Sequence, residues 1–149
     1  KLHTITADEQ KEHSIGILKK NIVEYTTAEL TSDLKAYETF HTITRVNDEK
    51  GIGQHNTVYI PMYDVKNVID IKARTINSKG KITLLNKDNI KEVKNVEEYG
   101  DFKIFAIEGV EKNSEIEVLL KKMLTYLVAK HYKAITRLKL HSFYTLLEI

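Results

Sequence analysis

From Tyr37 to Leu120, short runs of β-branched and aromatic residues recur between turn signals, at the spacing of roughly 8 to 12 residues expected of a sandwich or barrel. Between Ile69 and Arg74 the apolar Ile69, Ile71 and Ala73 alternate with Asp70, Lys72 and Arg74. Strand side chains point to opposite faces in turn, so this is the pattern of an antiparallel strand with one dry and one wet face. Asn77-Ser78-Lys79-Gly80 supplies turn residues, and Lys81 to Leu85 completes a hairpin. A second hairpin is expected from Tyr37 to Ile60, turning at Asn47 to Gly51. With that turn centred near Glu49, parity places Phe40, Val46, Ile52, Val58 and Ile60 on one face. Thr39, His41, Arg45, Gly53, His55 and Thr57 then share the other, with Ile43 and Tyr59 as apolar exceptions. Pro61 lacks a ladder donor and ends the run. Further short strands are expected at Ile90 to Val96, Phe102 to Ile107 and Glu115 to Leu120.

Two stretches carry apolar residues at helical spacing. They are Ile15, Leu18, Ile22 and Tyr25, and then Leu119, Leu120, Met123, Leu124, Leu127 and Val128. Their β-branched neighbours favour extended structure. The fold class expected is therefore mostly β, an antiparallel β-sandwich of short strands, with one or two helical segments near the ends as the open alternative. A chain of 149 residues fits one domain. Its start at Lys1 and its strand-like finish from Ser142 to Ile149 read as cuts through a longer multidomain protein.

Composition removes several classes of function. Without cysteine there is no disulfide, thiolate zinc site or thiol nucleophile. The 23 basic and 21 acidic residues leave a net charge of +2, and only Arg45, Arg74 and Arg137 are arginines, so no nucleic-acid partner is expected. No apolar run approaches the ~20 residues of a membrane span.

Chemistry-bearing residues are sparse. In the expected first hairpin His41 and His55 share a parity and become cross-strand neighbours, yet two histidines fall short of a zinc ligand set, and no metal or cofactor is expected. Glu115 and Glu117 share a strand face and offer the carboxylate pair of a small hydrolase; alternation with Ile116 and Val118 is equally the look of a wet sheet face. No serine lies in a nucleophile-elbow pattern, and Gly51-Ile52-Gly53 is not a phosphate loop. The catalytic set is therefore expected to be empty. Tyr59, Tyr63 and Tyr99 lie at strand ends or loops, where tyrosine caps the core with its hydroxyl wet. The alternative is a protein contact built on Tyr59, Met62 and Tyr63, since aromatics and methionine are enriched in interface cores.

The ordered motifs His41-Thr-Ile-Thr-Arg-Val-Asn-Asp48, Ile60-Pro61, Ile71-Lys-Ala-Arg-Thr75, Ser78-Lys-Gly-Lys-Ile82 and Asp101 to Glu117 resemble a known family. The resemblance is to the β-rich domain found ahead of transglutaminase-like domains in bacterial envelope proteins, especially of Bacteroidetes. It covers roughly Leu30 to Leu120 and implies a β-sandwich module in the periplasm or cell envelope, carrying no catalytic residue of its own. Its implied role is interaction or scaffolding, with other domains of the parent chain or envelope proteins as partners. The rival readings are a carbohydrate-binding sandwich, with a glycan partner, and the carboxylate-dependent hydrolase.

Overall fold

The computed structural model describes residues 2–27, 34–96 and 100–125. Eight strands form among the described residues, each dense in the β-branched and aromatic residues that fit a pleated surface. They are β1 (Ser14–Thr27), β2 (Leu34–Val46), β3 (Thr57–Pro61), β4 (Val65–Ile76), β5 (Ile82–Leu84), β6 (Lys91–Val96), β7 (Gly100–Ala106) and β8 (Ser114–Leu124). The single α-helix among the described residues, α1, spans Glu49–His55, and short 3-10 turns lie at Glu9–Lys11 and Lys87–Asn89.

The strands pair antiparallel in two sheets, one of five strands in the order β1-β2-β8-β4-β5 and one of three in the order β3-β7-β6. The core lies between them. Val46 of β2, Ile71 and Ala73 of β4, and Ile116 and Leu120 of β8 meet Ile60 of β3, Phe105 of β7 and the following Ile107. The mostly-β antiparallel sandwich read from the sequence is thus the fold.

The expected hairpin from Tyr37 to Ile60 does not form. β2 and β3 belong to different sheets, and the segment read as a turn is the start of α1. Asp48 caps that helix, its side chain accepting from the Gly51 N–H at 2.9 Å, which satisfies an otherwise orphaned donor. Gly51 lets the helix approach the His13 backbone so closely that a Cβ there would stand 1.9 Å from the His13 carbonyl oxygen. Its role is close approach and not a positive-φ turn. Ile52, the next residue, packs against the core.

The β4–β5 hairpin forms as expected, with Arg74 opposite Leu84 and Ile76 opposite Ile82. Inside β4 the register against β8 shifts at two points, the first between Val65 and Asn67. The second, between Val68 and Asp70, inserts an extra residue against β8, so Val68 packs on the core and Ile69, expected inward, is 46% exposed. A similar irregularity between Gly16 and Leu18 interrupts β1. Both stretches with helical spacing are strands where described: β1 through Thr27 and β8 through Leu124. The expectations for Tyr99, for Leu127 and Val128, and for Ser142 to Ile149 lie outside the described residues.

Candidate functional site

Two places gather polar or aromatic side chains. The first is the edge of the smaller sheet. β3 pairs only with β7, so its other side is an open edge among the described residues. Alternation buries Ile60 and turns Tyr59 outward, 63% exposed. Pro61 ends the strand, and Tyr63 follows at 71% exposure. Met62 takes the other direction and packs on the core. The structure therefore separates the three expected contact residues: two aromatics stand in solvent, with a methionine anchoring the backbone between them. Neither tyrosine caps the core.

Beside this edge runs a trough of about 450 Å³, floored by Phe40 and Thr42 of β2 and Val118 and Leu120 of β8. Glu38, 4% exposed, closes one part of its floor. Its carboxylate lies 3.1 Å from the Lys122 ammonium and accepts from Asn21 Nδ2 at 3.0 Å, while Lys122 also sits 5.1 Å over the Phe40 ring. The buried charge is thereby matched on the spot, as burial demands.

The second place is the opposite face of the larger sheet. Register brings His41 of β2 opposite Leu119, one step along the face from Glu117, and His41 Nε2 lies 2.7 Å from the Glu117 carboxylate. Arg74 of β4, directly across from Glu117, pairs with its other oxygen. Burial works against ionising Glu117, but hydrogen bonds from His41 and Arg74 and the charge of Arg74 outweigh it, so its carboxyl lies below the ordinary range.

Two residues earlier, Glu115 is 1% exposed and not on a wet face as expected. The amino-terminal segment lies over it: the His3 backbone N–H donates to one carboxylate oxygen at 2.6 Å, and His3 Nδ1 lies 2.9 Å from the other. Arg45, itself buried, places Nη1 3.8 Å away and donates from Nε to Asn47 Oδ1 at 3.3 Å. Asn47 in turn donates to the carbonyls of Glu9 and Glu12, holding the same segment.

His55 is not a neighbour of His41. It belongs to α1, with Nε2 2.9 Å from Ser14 Oγ, and burial lowers its pKa. Among the described residues, no group of three metal-ligating side chains comes together. Of the two carboxylates that share the β8 face, one is buried under the amino-terminal segment and the other is held ionised. A glycosidic acid needs a raised pKa, and this environment works in the reverse direction for Glu117. His3 and Arg74 were absent from the expected site, since their partners are set by register and by a contact 112 residues apart in the chain.

An antiparallel sandwich of two sheets, in which β3 is an edge strand of the smaller sheet among the described residues, is the class that the fold defines. No protein-family model matches the chain, and no curated protein matches it. Among solved structures it is similar to a “putative protease” from Parabacteroides distasonis, with a TM-score of 0.55 and 12% identity over 68% of this chain. At that identity the likeness is one of fold. The match spans 21% of that longer protein.

Proposed function

We propose that this chain is a non-catalytic interaction or scaffolding module of a larger exported bacterial protein, working in the periplasm or cell envelope beside a transglutaminase-like domain. Its contact surface is the stretch Tyr59, Met62 and Tyr63. The observation that carries this reading is the pair of largely exposed tyrosines flanking Pro61 at the end of an unpaired edge strand. Rigid aromatic rings offer contact area at little entropy loss, and Met62 fixes the backbone between them from the core side. The fold likeness to part of a much longer protein supports a module embedded in a multidomain chain.

The test is capture of the neighbouring domains of the chain's own full-length polypeptide, expressed separately, by this domain and by Tyr59→Ala with Tyr63→Ala. Loss of two aromatic anchors should weaken capture at least about thirtyfold, the equivalent of about 2 kcal/mol. The melting temperature should stay unchanged, because both rings are outside the core. Equal capture by the variant would refute the assignment of the surface.

A further inference from the structure

The smaller sheet ends at β3, while the larger sheet continues beneath it through β2 to β1. The trough along β3 is the space left uncovered. Hydrogen-bond alternation fixes which backbone groups look into it. Met62 N–H donates to the Asp101 carbonyl at 2.9 Å, and the Asn56 carbonyl accepts from Ile107 N–H at 2.7 Å. Even-numbered residues from Asn56 to Met62 therefore bond to β7, and odd-numbered ones turn away from it. The N–H groups of Thr57 and Tyr59, and the carbonyls of Thr57, Tyr59 and Pro61, have no strand partner among the described residues. Such a row is a template for another strand, and the apolar floor gives alternate side chains of that strand a place to bury.

We infer that the trough receives an extended peptide segment of a partner, which adds to β3 as a fourth strand of the smaller sheet. This rests on the docking-module reading and names what the partner supplies. Charge selects the segment. Within the trough Lys122 and Glu38 neutralise each other. At one end stands the exposed Asp64, whose carbonyl accepts from Thr125 N–H at 2.9 Å just past β8. Toward the other end Lys19 lies opposite Thr42 in the β1–β2 register, and so on the face of the floor. Neither side chain has an ion-pair partner among the described residues. β3 starts near the Val46 end of β2, across α1, and finishes at the Glu38 end. A segment antiparallel to β3 thus enters at Asp64 and leaves toward Lys19. It fits best with a basic residue first, apolar residues at alternate positions and an acidic residue last.

Fluorescence anisotropy of the whole chain with a labelled Lys-Val-Thr-Val-Thr-Val-Glu peptide tests this. Saturable binding is expected, and N-methylation of one alternate set of peptide amides should weaken it at least about tenfold, while the other set changes it less than about twofold. Tyr59→Thr removes a ring and keeps the outward N–H; Tyr59→Pro removes both without touching the β7 ladder. The proline variant should bind the peptide about tenfold more weakly than the threonine variant at a similar melting temperature. The reversed peptide, Glu-Val-Thr-Val-Thr-Val-Lys, should bind more weakly than the first. Absence of binding, or equal weakening by both N-methylated sets, overturns strand addition. If the tyrosine variants then still lose capture of the neighbouring domains, the docking module stands and only its mode falls. A dimer in sedimentation that Tyr59→Pro converts to monomer puts a second copy in the trough and overturns the choice of occupant.

Discussion

Replacing Glu115 by Gln keeps the shape of a side chain that is 1% exposed and removes its charge. Arg45, also buried, is then left without a counter-ion, and the amide offers only one oxygen to the two His3 donors that now occupy both carboxylate oxygens. Breaking a buried ion pair from one side costs about 3 to 5 kcal/mol. The Arg45 contact is long at 3.8 Å and His3 is half-exposed, which places this site at the lower end, near 3 kcal/mol. For a chain of this size each kcal/mol moves the melting temperature by about 2 to 4 °C, so a fall of about 6 to 12 °C is expected in a circular-dichroism melt. Glu117→Gln removes a carboxylate whose partners His41 and Arg74 both reach solvent, and it should cost about 1 kcal/mol or less. Joining Arg45→Met to Glu115→Met should recover most of the loss, since apolar replacement of a whole buried pair is often close to neutral. If Glu115→Gln costs no more than Glu117→Gln, the carboxylate is not the clamp that the geometry makes it.

The two glycines of α1 should respond in opposite directions. Gly51→Ala drives a methyl into the His13 backbone and should destabilise by about 3 kcal/mol, whereas Gly53→Ala meets nothing within 4 Å and should stabilise by roughly 0.5 to 1 kcal/mol in urea titrations. Because the folded pKa of His55 is lowered by burial, the unfolded chain binds its proton first; its contribution is intact above pH ~6.5 and is lost as pH falls through the folded value. His55→Asn should flatten stability against pH in that window, and an unchanged slope would contradict the assignment. Chelator should leave the melting temperature of the purified chain in place, since a drop would reveal a native-state metal.

β4 and β5 announce themselves because alternation and the Asn77–Gly80 turn lie within one short window. The stretch from Tyr37 to Ile60 misleads because Asp48 and Gly51 serve a helix cap and a backbone crossing as readily as a hairpin turn. A seven-residue helix with two glycines has little propensity of its own, and its support comes from Ile52 on the core and from His13. The helical spacing around Leu119 has another origin. β8 buries Ile116, Leu120 and Leu124 on one face and half-buries Leu119 and Met123 on the other, so apolar residues fall on both parities and imitate a helical period. In β1 the irregularity at Gly16 shifts the parity of Ile15 against Leu18 and Ile22, which imitates a period the backbone does not have.

The site residues divide along the same line between local and distant causes. Tyr59, Pro61 and Tyr63 cluster within five positions, and a proline that ends a strand beside two aromatics is visible without knowing the partner strand. The burial of Glu115 is not, because the alternation from Glu115 to Val118 describes a wet face until the segment around His3 is laid over it. Register also adds something to Pro61 that its position in the sequence does not hold. It falls on the parity that faces the open edge, where the missing N–H breaks no bond to β7. At that end the edge has an acceptor and no donor, while Thr57 and Tyr59 keep both. A short segment can pair along the first part of β3, but the row of donors stops at Pro61, and a blunted edge of this kind resists endless strand-on-strand growth. The same residue that ends the strand therefore lets the edge stay open for a partner without making it a template for aggregation.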